Sequence, residues 1–473
     1  MQPPSPSAAT TRLASLRSWK TRGAAAILFF TLVFWLNQSV SGEAWGPLRD
    51  RVWTTHTATT MEVVRYPFIF LYRHSFDEEL YWNLSGEILG KPYDATFLTN
   101  ARTRSGSFAA KTPVAAEGPH RPYAEVPLEY PALSLPFLLL PRLLTNDLES
   151  YSFVFSATMG LCAFLAFVLV IKLFTRQSTA DRTRAYLIAT ALSLAHGALF
   201  VQRLDAVLAL ALAGALYFWM TDRFALFACV LGLASAFKLT PMLLVLPLLA
   251  TDRHILQHAR ICALAFAGGL AAGLLPMFAF SRNALLDLLR YHAERGLHCE
   301  STWATLYGIL GGKASPAIVA FGSLNLEGTI PDLLAKIALP VTIILLTWLS
   351  YSLWKRRLNS SILMAEDAIR ALLTACIILW LSSKVFSPQY LGWGLPLAIP
   401  CLMSKRDRKA GLLFAFALVL TQVYHRGYYD AVSQMRPLGL ITIALRDAAL
   451  AGAGWLLFRN FRTAFFATSS AEG

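Results

Sequence analysis

With 473 residues, of which 56% are apolar and only 15% charged, the chain is far more apolar than a soluble globular domain. This composition excludes an ordinary soluble enzyme and indicates a protein with many membrane-spanning helices. The formal net charge of +14 could indicate a nucleic-acid partner. Basic residues also accumulate in the cytoplasmic loops of membrane proteins, so the positions of the charges decide between these interpretations.

The chain begins with a basic segment, residues 1–22, followed by an apolar run from Ala24 to Ser41 that predicts a first membrane span. Lys238 and Pro241 interrupt the long run Phe224 to Ala250, which predicts two short helices there and about twelve spans in all. The other apolar runs are Tyr151 to Phe174, Ala185 to Val201, Leu204 to Met220, Ile255 to Phe280, Lys336 to Trp354, Ala368 to Leu381, Tyr390 to Met403, Gly411 to Val423 and Leu438 to Phe458.

In this topology the short basic loops all fall on the side of the N-terminus, as the positive-inside rule requires. The basic excess is therefore topological, and nucleic-acid binding loses its support. A competing topology makes Pro131 to Leu144 a span and keeps Phe224 to Ala250 as one helix. We prefer an interfacial helix for Pro131 to Leu144, because the segment is short for a span and contains two prolines.

The predicted fold is an all-α polytopic membrane protein with long external loops. It divides into a cytoplasmic tail (1–22), a transmembrane module (23–280) with an external loop (42–150), a second external loop (281–335) and C-terminal transmembrane helices (336–473). Long polar loops attached to a membrane scaffold are typical of catalytic or binding surfaces.

The first external loop contains three consecutive acidic residues, Asp77 to Glu79, close to Tyr81. Spacing alone favours a solvated acidic helix start with Asp77 or Ser75 as N-cap, although the same carboxylates could do chemistry. Further along, Glu129-Tyr130-Pro131 predicts an extended residue before a helix start.

Four cations, Arg203, Lys238, Lys384 and Arg436, lie near the predicted external ends of spans. Each alone is explained by a side chain that snorkels to the interface, and Arg203 has Asp205 as a local ion-pair partner. Together, on the face where positive charge should be sparse, they predict one anion-binding region.

The second external loop begins with a cluster in which His292, Arg295 and Glu300 are spaced to share a helix or turn. The adjacent His298 and Cys299 lack the spacing of zinc ligands, so a metal site is not predicted.

Taken together, these motifs resemble the C-type (GT-C) polytopic glycosyltransferases, specifically the polyprenol-phosphate-mannose-dependent branch of the phosphatidylinositol-mannoside mannosyltransferases. The matching stretches are Asp77 with Tyr81, Gly90-Lys91-Pro92-Tyr93, Glu129-Tyr130-Pro131, Arg203-Leu204-Asp205, Lys238-Leu239-Thr240-Pro241, Tyr291-His292 with Arg295-Gly296-Leu297 and Glu300-Ser301, and Lys384-Val385-Phe386-Ser387-Pro388-Gln389-Tyr390. The chain departs from the family at Ala132, where a second proline is usual, and in a polar insertion from about Asp94 to Glu125.

The resemblance implies Asp77 as the catalytic base of an inverting sugar transfer. With the charge pattern, it gives a donor phosphate site made of Lys238, Arg203, Lys384, His292 and Arg295. The residues expected to contact substrate are Tyr81, Glu129, Tyr130, Glu300 and Gln389. The expected donor is a polyprenyl-phosphate sugar, and the expected acceptor is a glycolipid or glycan on the extracytoplasmic face of a bacterial inner membrane. Neither a metal nor another cofactor is expected.

Two other functions compete with this interpretation. In a flippase of lipid-linked sugars, Lys238, Arg203 and Lys384 would line a path and Asp77 would be dispensable. An enzyme similar to O-antigen ligases or polymerases would use Arg and His residues of the later loop. The transferase hypothesis explains the set of candidate carboxylates and cations best, because a departing phosphate needs no general acid and one carboxylate base is enough.

Overall fold

The computed structural model describes residues 19–32, 76–103, 118–174, 178–251, 255–312, 317–357 and 365–469. In the first half of the chain the helices are residues 19–32 (α1), Phe76–Leu89 (α2), Ala95–Thr103 (α3), Leu135–Leu144 (α4), Leu148–Phe174 (α5), Thr179–His196 (α6), Asp205–Trp219 (α7), Phe224–Phe237 (α8) and Val245–Leu249 (α9). The second half contains Ile255–Phe280 (α10), Ala284–Glu294 (α11), Thr302–Ile309 (α12), Thr329–Arg357 (α13), Ala365–Ser382 (α14), Leu395–Met403 (α15), Arg408–Gly427 (α16), Tyr429–Ser433 (α17) and Pro437–Ser469 (α18).

Short 3-10 helices and three strands complete the described elements. The 3-10 helices are Ala132–Ser134, Gly197–Phe200, Thr240–Leu244 and Pro388–Gly394. The strands are Leu297–His298 (β1), Ile318–Ala320 (β2) and Ser323–Leu326 (β3).

Four helical segments within the described residues are long and apolar enough to cross a membrane. They are Leu148–Phe174, Gln257–Phe280, Thr329–Arg356 and Pro437–Phe461. Shorter apolar helices, such as α7 and α8, pack among them. These segments identify a largely helical integral membrane protein, while the total of about twelve spans stays a prediction.

The predicted interruption near Lys238 is confirmed. Helix α8 ends at Phe237, and Lys238 has an extended backbone with φ −153° and ψ 122°. The following 3-10 helix Thr240–Leu244 carries Pro241 in its first turn. One continuous α-helix from Phe224 to Ala250 is therefore excluded, because the extended backbone at Lys238 ends α8 and a separate 3-10 helix begins at Thr240.

The segment after Pro131 is helical, as both topologies predicted. The 3-10 helix Ala132–Ser134 continues into α4, and together they span about 20 Å at roughly 1.5 Å per residue. A hydrocarbon core is about 30 Å thick, so this length favours an interfacial position. The segment packs against both α2 and α5, which brings α2, the first described helix of the first loop, onto the membrane scaffold.

Two basic residues of the first loop hold its backbone in place. The buried Arg142 guanidinium donates to the carbonyl oxygens of Pro92 at 2.7 Å, Asn146 at 2.8 Å and Thr145 at 3.0 Å. The Lys91 ammonium donates to the carbonyl oxygen of Arg142 at 2.7 Å. The Gly90-Lys91-Pro92-Tyr93 motif thus positions the loop.

The interpretation of Asp77 to Glu79 as a solvated helix start is wrong for the middle residue. Glu78 is fully buried and accepts a hydrogen bond of 2.8 Å from the Ser156 hydroxyl on α5. Asp77 and Glu79 lie in the first turn of α2 as predicted, while Ser75 falls outside the described residues. The buried acid fixes α2 to the membrane scaffold and so helps to set the position of its neighbours.

A small antiparallel sheet in the second external loop departs from the all-α expectation. The strand order is β1-β3-β2, with Leu297 opposite Leu326 and Val319 opposite Leu324. The sheet also corrects the expected arrangement of the His292 cluster. His292 lies on α11 and Arg295 caps the C-terminus of that helix, whereas Glu300 follows β1 and so belongs to a different element.

Helices α8 and α10 touch almost backbone to backbone at two glycines. A Cβ atom at Gly232 would lie only 2.3 Å from the carbonyl oxygen of Phe266 on α10. One at Gly269 would lie 2.3 Å from the carbonyl oxygen of Cys229 on α8. This contact is immediately upstream of the break at Lys238 and fixes the position of that residue.

Candidate active site

Asp77 and Arg203 form an ion pair that joins the first loop to the membrane scaffold. Asp77 lies in the first turn of α2, and Arg203 lies in the connection just before α7. Their side chains are 23% and 15% exposed, respectively, so the pair lies at a partly open position. The sequence predicted an ion pair between Arg203 and Asp205. The structure instead gives Arg203 the carboxylate of Asp77, although Asp205 is still in electrostatic reach.

Lys238 occupies a cage of one carboxylate and two aromatic rings. Its ammonium donates to Asp205 Oδ1 at 2.9 Å and lies 4.2 Å from the ring centroid of Tyr390 and 5.4 Å from that of Trp393. The Trp393 indole donates to the same Asp205 oxygen at 2.8 Å. Since a buried cation is costly unless it is paired, this cage is what allows a lysine at the helix break.

A second group of cations lies at the end of α11. The Arg295 Nε donates to the Ser323 hydroxyl at 3.1 Å, and the Lys384 ammonium donates to the carbonyl oxygens of Arg295 at 2.6 Å and Ala293 at 3.0 Å. Burial opposes the charge of Arg295, but interactions with Tyr291, Tyr390 and Glu129 outweigh burial and raise its pKa. The adjacent loop therefore holds a permanently charged guanidinium.

Electrostatic interactions connect these cations into one region. Burial lowers the pKa of His292 to about 3, and the charges of Arg295, Lys238 and Lys384 contribute to that shift. Burial, followed by the charge of Arg295, lowers the pKa of Lys384 to about 8. Lys238, Arg295 and Lys384 are therefore brought together around a neutral His292, as an anion-binding region requires.

Glu129 and Tyr291 join the two loops that the sequence predicts to be external. The Tyr291 hydroxyl donates to Glu129 Oε2 and lies 2.7 Å from the carbonyl oxygen of Phe321. Gly322 has a φ of +64°, and a Cβ there would lie 3.3 Å from Glu129 Oε2, so the turn between β2 and β3 suits glycine on both counts. The two loops are therefore in direct contact with each other at Glu129 and Tyr291.

Tyr81 and Tyr130 contact each other within the first loop, and Tyr130 directly follows Glu129. The Tyr81 hydroxyl donates to the Tyr130 hydroxyl at 3.3 Å, and the Tyr123 hydroxyl donates to the carbonyl oxygen of Tyr130 at 2.8 Å. Tyr81 is only 1% exposed, so its contact with a substrate stays a prediction that would require the site to open. Gln389 is half-buried and directly precedes Tyr390, which places it beside the Lys238 cage.

Glu300 lies in an enclosed network. Its carboxylate accepts hydrogen bonds from the hydroxyls of Tyr424 and Tyr429, the latter at 2.8 Å, and the Arg446 guanidinium donates to its backbone carbonyl at 2.7 Å. Arg446 also donates to Asp447 Oδ1 at 2.8 Å and is itself fully buried. The network anchors the second loop to α16, α17 and α18.

Several of these residues could not be identified from the sequence. Trp393 and Tyr123 have no local signal, whereas Arg446 and Asp447, an adjacent basic and acidic pair inside an apolar run, could have been noticed. Arg436 is exposed at the start of α18. Among the described residues no group of three His, Cys, Asp or Glu side chains is arranged to hold a metal ion.

Comparison with known proteins gives one match. The sequence model of the family described as glycosyltransferase family 87 matches residues 128–388, which is more than half of the chain. The matched region contains the cations Arg203, Lys238, Arg295 and Lys384, while Asp77 lies before it. No curated protein and no solved structure matches the chain.

Proposed function

Because this chain belongs to glycosyltransferase family 87, it is a glycosyltransferase, and we propose that it transfers a hexose with inversion from a polyprenyl-phosphate donor. Mannose is the proposed sugar. The proposed acceptor is a lipid-linked or cell-envelope glycan on the extracytoplasmic face of a bacterial inner membrane, with both termini of the chain in the cytoplasm. No metal or other cofactor takes part in this proposal.

The observation that carries the proposal is the separation of one partly exposed carboxylate from a group of partly buried cations. Asp77 is on the first loop and is held by Arg203, whereas Lys238, Arg295 and Lys384 interact around His292. The two sets are adjacent, because Arg203 and Lys238 both interact with Asp205. A base and an anion-binding region are the two parts that transfer from a sugar phosphate requires.

In the proposed reaction, the oxygen of the acceptor hydroxyl attacks the anomeric carbon from the side opposite the phosphate. The new carbon–oxygen bond forms as the bond between the anomeric carbon and the phosphate oxygen breaks, and the configuration inverts. The Asp77 carboxylate takes the hydroxyl proton, and the phosphate leaves with the electron pair of the broken bond. No group has to protonate the leaving phosphate, because it is stable as an anion.

The cations differ in their availability to that phosphate. The ammonium of Lys238 is engaged by Asp205 and two rings, and Arg203 is engaged by Asp77. Arg295 and Lys384 instead donate to a hydroxyl and to backbone carbonyls, which compensate less of their charge. We assign Arg295 and Lys384 to direct phosphate contact, with Lys238 and His292 next to them. Arg203 orients the Asp77 carboxylate through their ion pair.

The test is transfer by purified protein from radiolabelled polyprenyl-phosphate sugars to a membrane lipid extract. Asp77→Asn keeps the size of the side chain but cannot accept a proton, so transfer should fall by roughly 10²- to 10⁴-fold. Asp77→Glu should recover little, because an added methylene displaces the carboxylate from the hydroxyl. Glu79→Gln is the matched control, since Glu79 is in the same helical turn, and it should change the rate little.

Two results would refute this assignment. An inactive Glu79→Gln protein beside an active Asp77→Asn protein would move the base two residues along α2. Normal transfer by both variants would remove the base from this helix. If the wild-type protein moves the lipid-linked sugar across a vesicle membrane without transferring it, the flippase hypothesis becomes the better one.

A further inference from the structure

A large apolar groove lies outside the site described above. It has a volume of about 420 Å³ and is formed by α13, α14 and α18, with α12 covering its external end. Its walls consist mostly of aliphatic and aromatic side chains, including Leu345, Trp348, Ile377, Ala451, Trp455 and Phe458. A groove of this composition takes an apolar ligand, because a polar ligand would lose its hydrogen bonds with water there.

The external end of the groove is next to the candidate phosphate site. Trp303 and Ser382 line this end, and the Trp303 indole donates to the carbonyl oxygen of Ser382 at 2.8 Å. Ser382 is the last residue of α14, and Lys384 follows two residues later. The carbonyl oxygen of Lys384 accepts a hydrogen bond of 3.0 Å from the amide of His298, which fixes this connection to β1. A ligand that leaves the groove here meets the Lys384 and Arg295 cations.

The opposite end of the groove lies deep in the membrane part of the protein. The wall on α13 extends from Val341 to Trp348, a distance of about 10 Å along the helix axis. Trp348 and Trp455 are 48% and 57% exposed, so the groove is open along its side. Both helices are among those long and apolar enough to span the membrane, so that side faces lipid. A membrane-dissolved molecule can therefore enter sideways.

We propose that this groove binds the isoprenoid chain of the lipid-phosphate donor, while Lys384 and Arg295 hold its phosphate. The inference rests on the proposed function and deepens it, because it names the part of the protein that recognises the lipid. The polarity of the groove and of its surroundings matches that of the donor. An apolar groove that opens to the bilayer ends beside the partly buried cations Lys384 and Arg295, as an amphiphile with one long chain and an anionic head requires.

The experiment fills the groove and varies the chain length of the donor. Ala451→Phe places a ring on the groove wall, and Ala267→Phe on α10 is the control, since Ala267 is also exposed on a membrane-length helix but does not line the groove. We expect Ala451→Phe to raise KM about tenfold, equivalent to about 1.4 kcal/mol, for a donor with a long polyprenyl chain. The KM for a donor with a short, water-soluble prenyl chain should not change, and Ala267→Phe should affect neither donor.

The inference is overturned if Ala451→Phe leaves both KM values unchanged, or if it impairs both donors equally. In either case the transferase proposal stands, provided that the wild-type protein uses the donors. If the wild-type protein transfers from no polyprenyl-phosphate sugar, the proposed function fails. Native mass spectrometry with polyprenyl phosphate alone then tests whether the groove binds this lipid.

Binding of polyprenyl phosphate that Ala451→Phe weakens and Ala267→Phe does not would support the groove. Retention of ordinary phospholipid that polyprenyl phosphate cannot displace would assign the groove to bilayer lipid and reject our inference.

Discussion

The two long connecting segments, residues 76–150 and 281–335, contribute opposite charges to the candidate site and are anchored in different ways. The first supplies the carboxylates of Asp77 and Glu129, and Arg142 holds it through neutral backbone carbonyls. The second supplies Arg295, and a buried ionic network around Arg446 holds it. The proposed base and the proposed phosphate-binding group thus lie on separately anchored segments of the chain. Damage to one anchor should therefore impair one half of the reaction.

The largest effect should come from removing the two anchoring arginines. Arg446→Ala leaves the carboxylates of Glu300 and Asp447 buried without their cation, which should cost about 3–5 kcal/mol in the free energy of unfolding. Arg142→Ala leaves only carbonyl oxygens unpaired and should cost less, roughly 1–3 kcal/mol. Thermal unfolding of both variants in detergent measures the difference. Equal losses of unfolding free energy in the two variants would show that the ionic anchor and the backbone anchor do not differ in their contribution to stability.

A smaller effect should separate the cations that hold phosphate from those that hold the base. Arg295→Ala removes a charge-assisted contact worth about 1.5–3 kcal/mol, so kcat/KM for the donor should fall roughly ten- to hundredfold. Arg203→Ala should instead lower kcat and leave the KM for the donor nearly unchanged, because its partner is Asp77. Steady-state kinetics at varied donor concentration provide the test. An unchanged donor dependence in Arg295→Ala would remove this residue from the phosphate site.

The smallest effect concerns the pH dependence of stability in the second segment. The pKa of His292 is lowered from 6.5 to about 3, so between these values the unfolded chain binds a proton that the folded chain does not. The free energy of unfolding should therefore decrease as the pH falls below about 6.5, by at most about 1.4 kcal/mol per pH unit from this residue.

In His292→Gln that share of the slope should disappear. Unfolding temperatures at a series of pH values between 7 and 5 measure it, with the wild-type protein as reference. The same slope in both proteins would show that His292 titrates normally.

Local sequence pattern predicted most of the fold, whereas contacts between distant segments could not be predicted from it. The apolar runs and the break at Lys238 are visible in the sequence because span length and proline act locally. The pairing of Asp77 with Arg203, and of Asp205 with Lys238, could not be read off, because the nearest opposite charge along the chain is not the nearest in space. The small sheet escaped detection because strands of two to four residues have no usable periodicity.

The glycine contact between α8 and α10 has a consequence for genetic screens of this protein. Gly232 lies six residues before Lys238, about 9 Å along the helix axis, and accepts no side chain larger than hydrogen. A variant with alanine there would force the two helices apart and shift Lys238 away from Asp205. A screen for lost activity would therefore recover such a variant among those of the site itself. Only its unfolding temperature and its level in the membrane would show that the defect began in the scaffold.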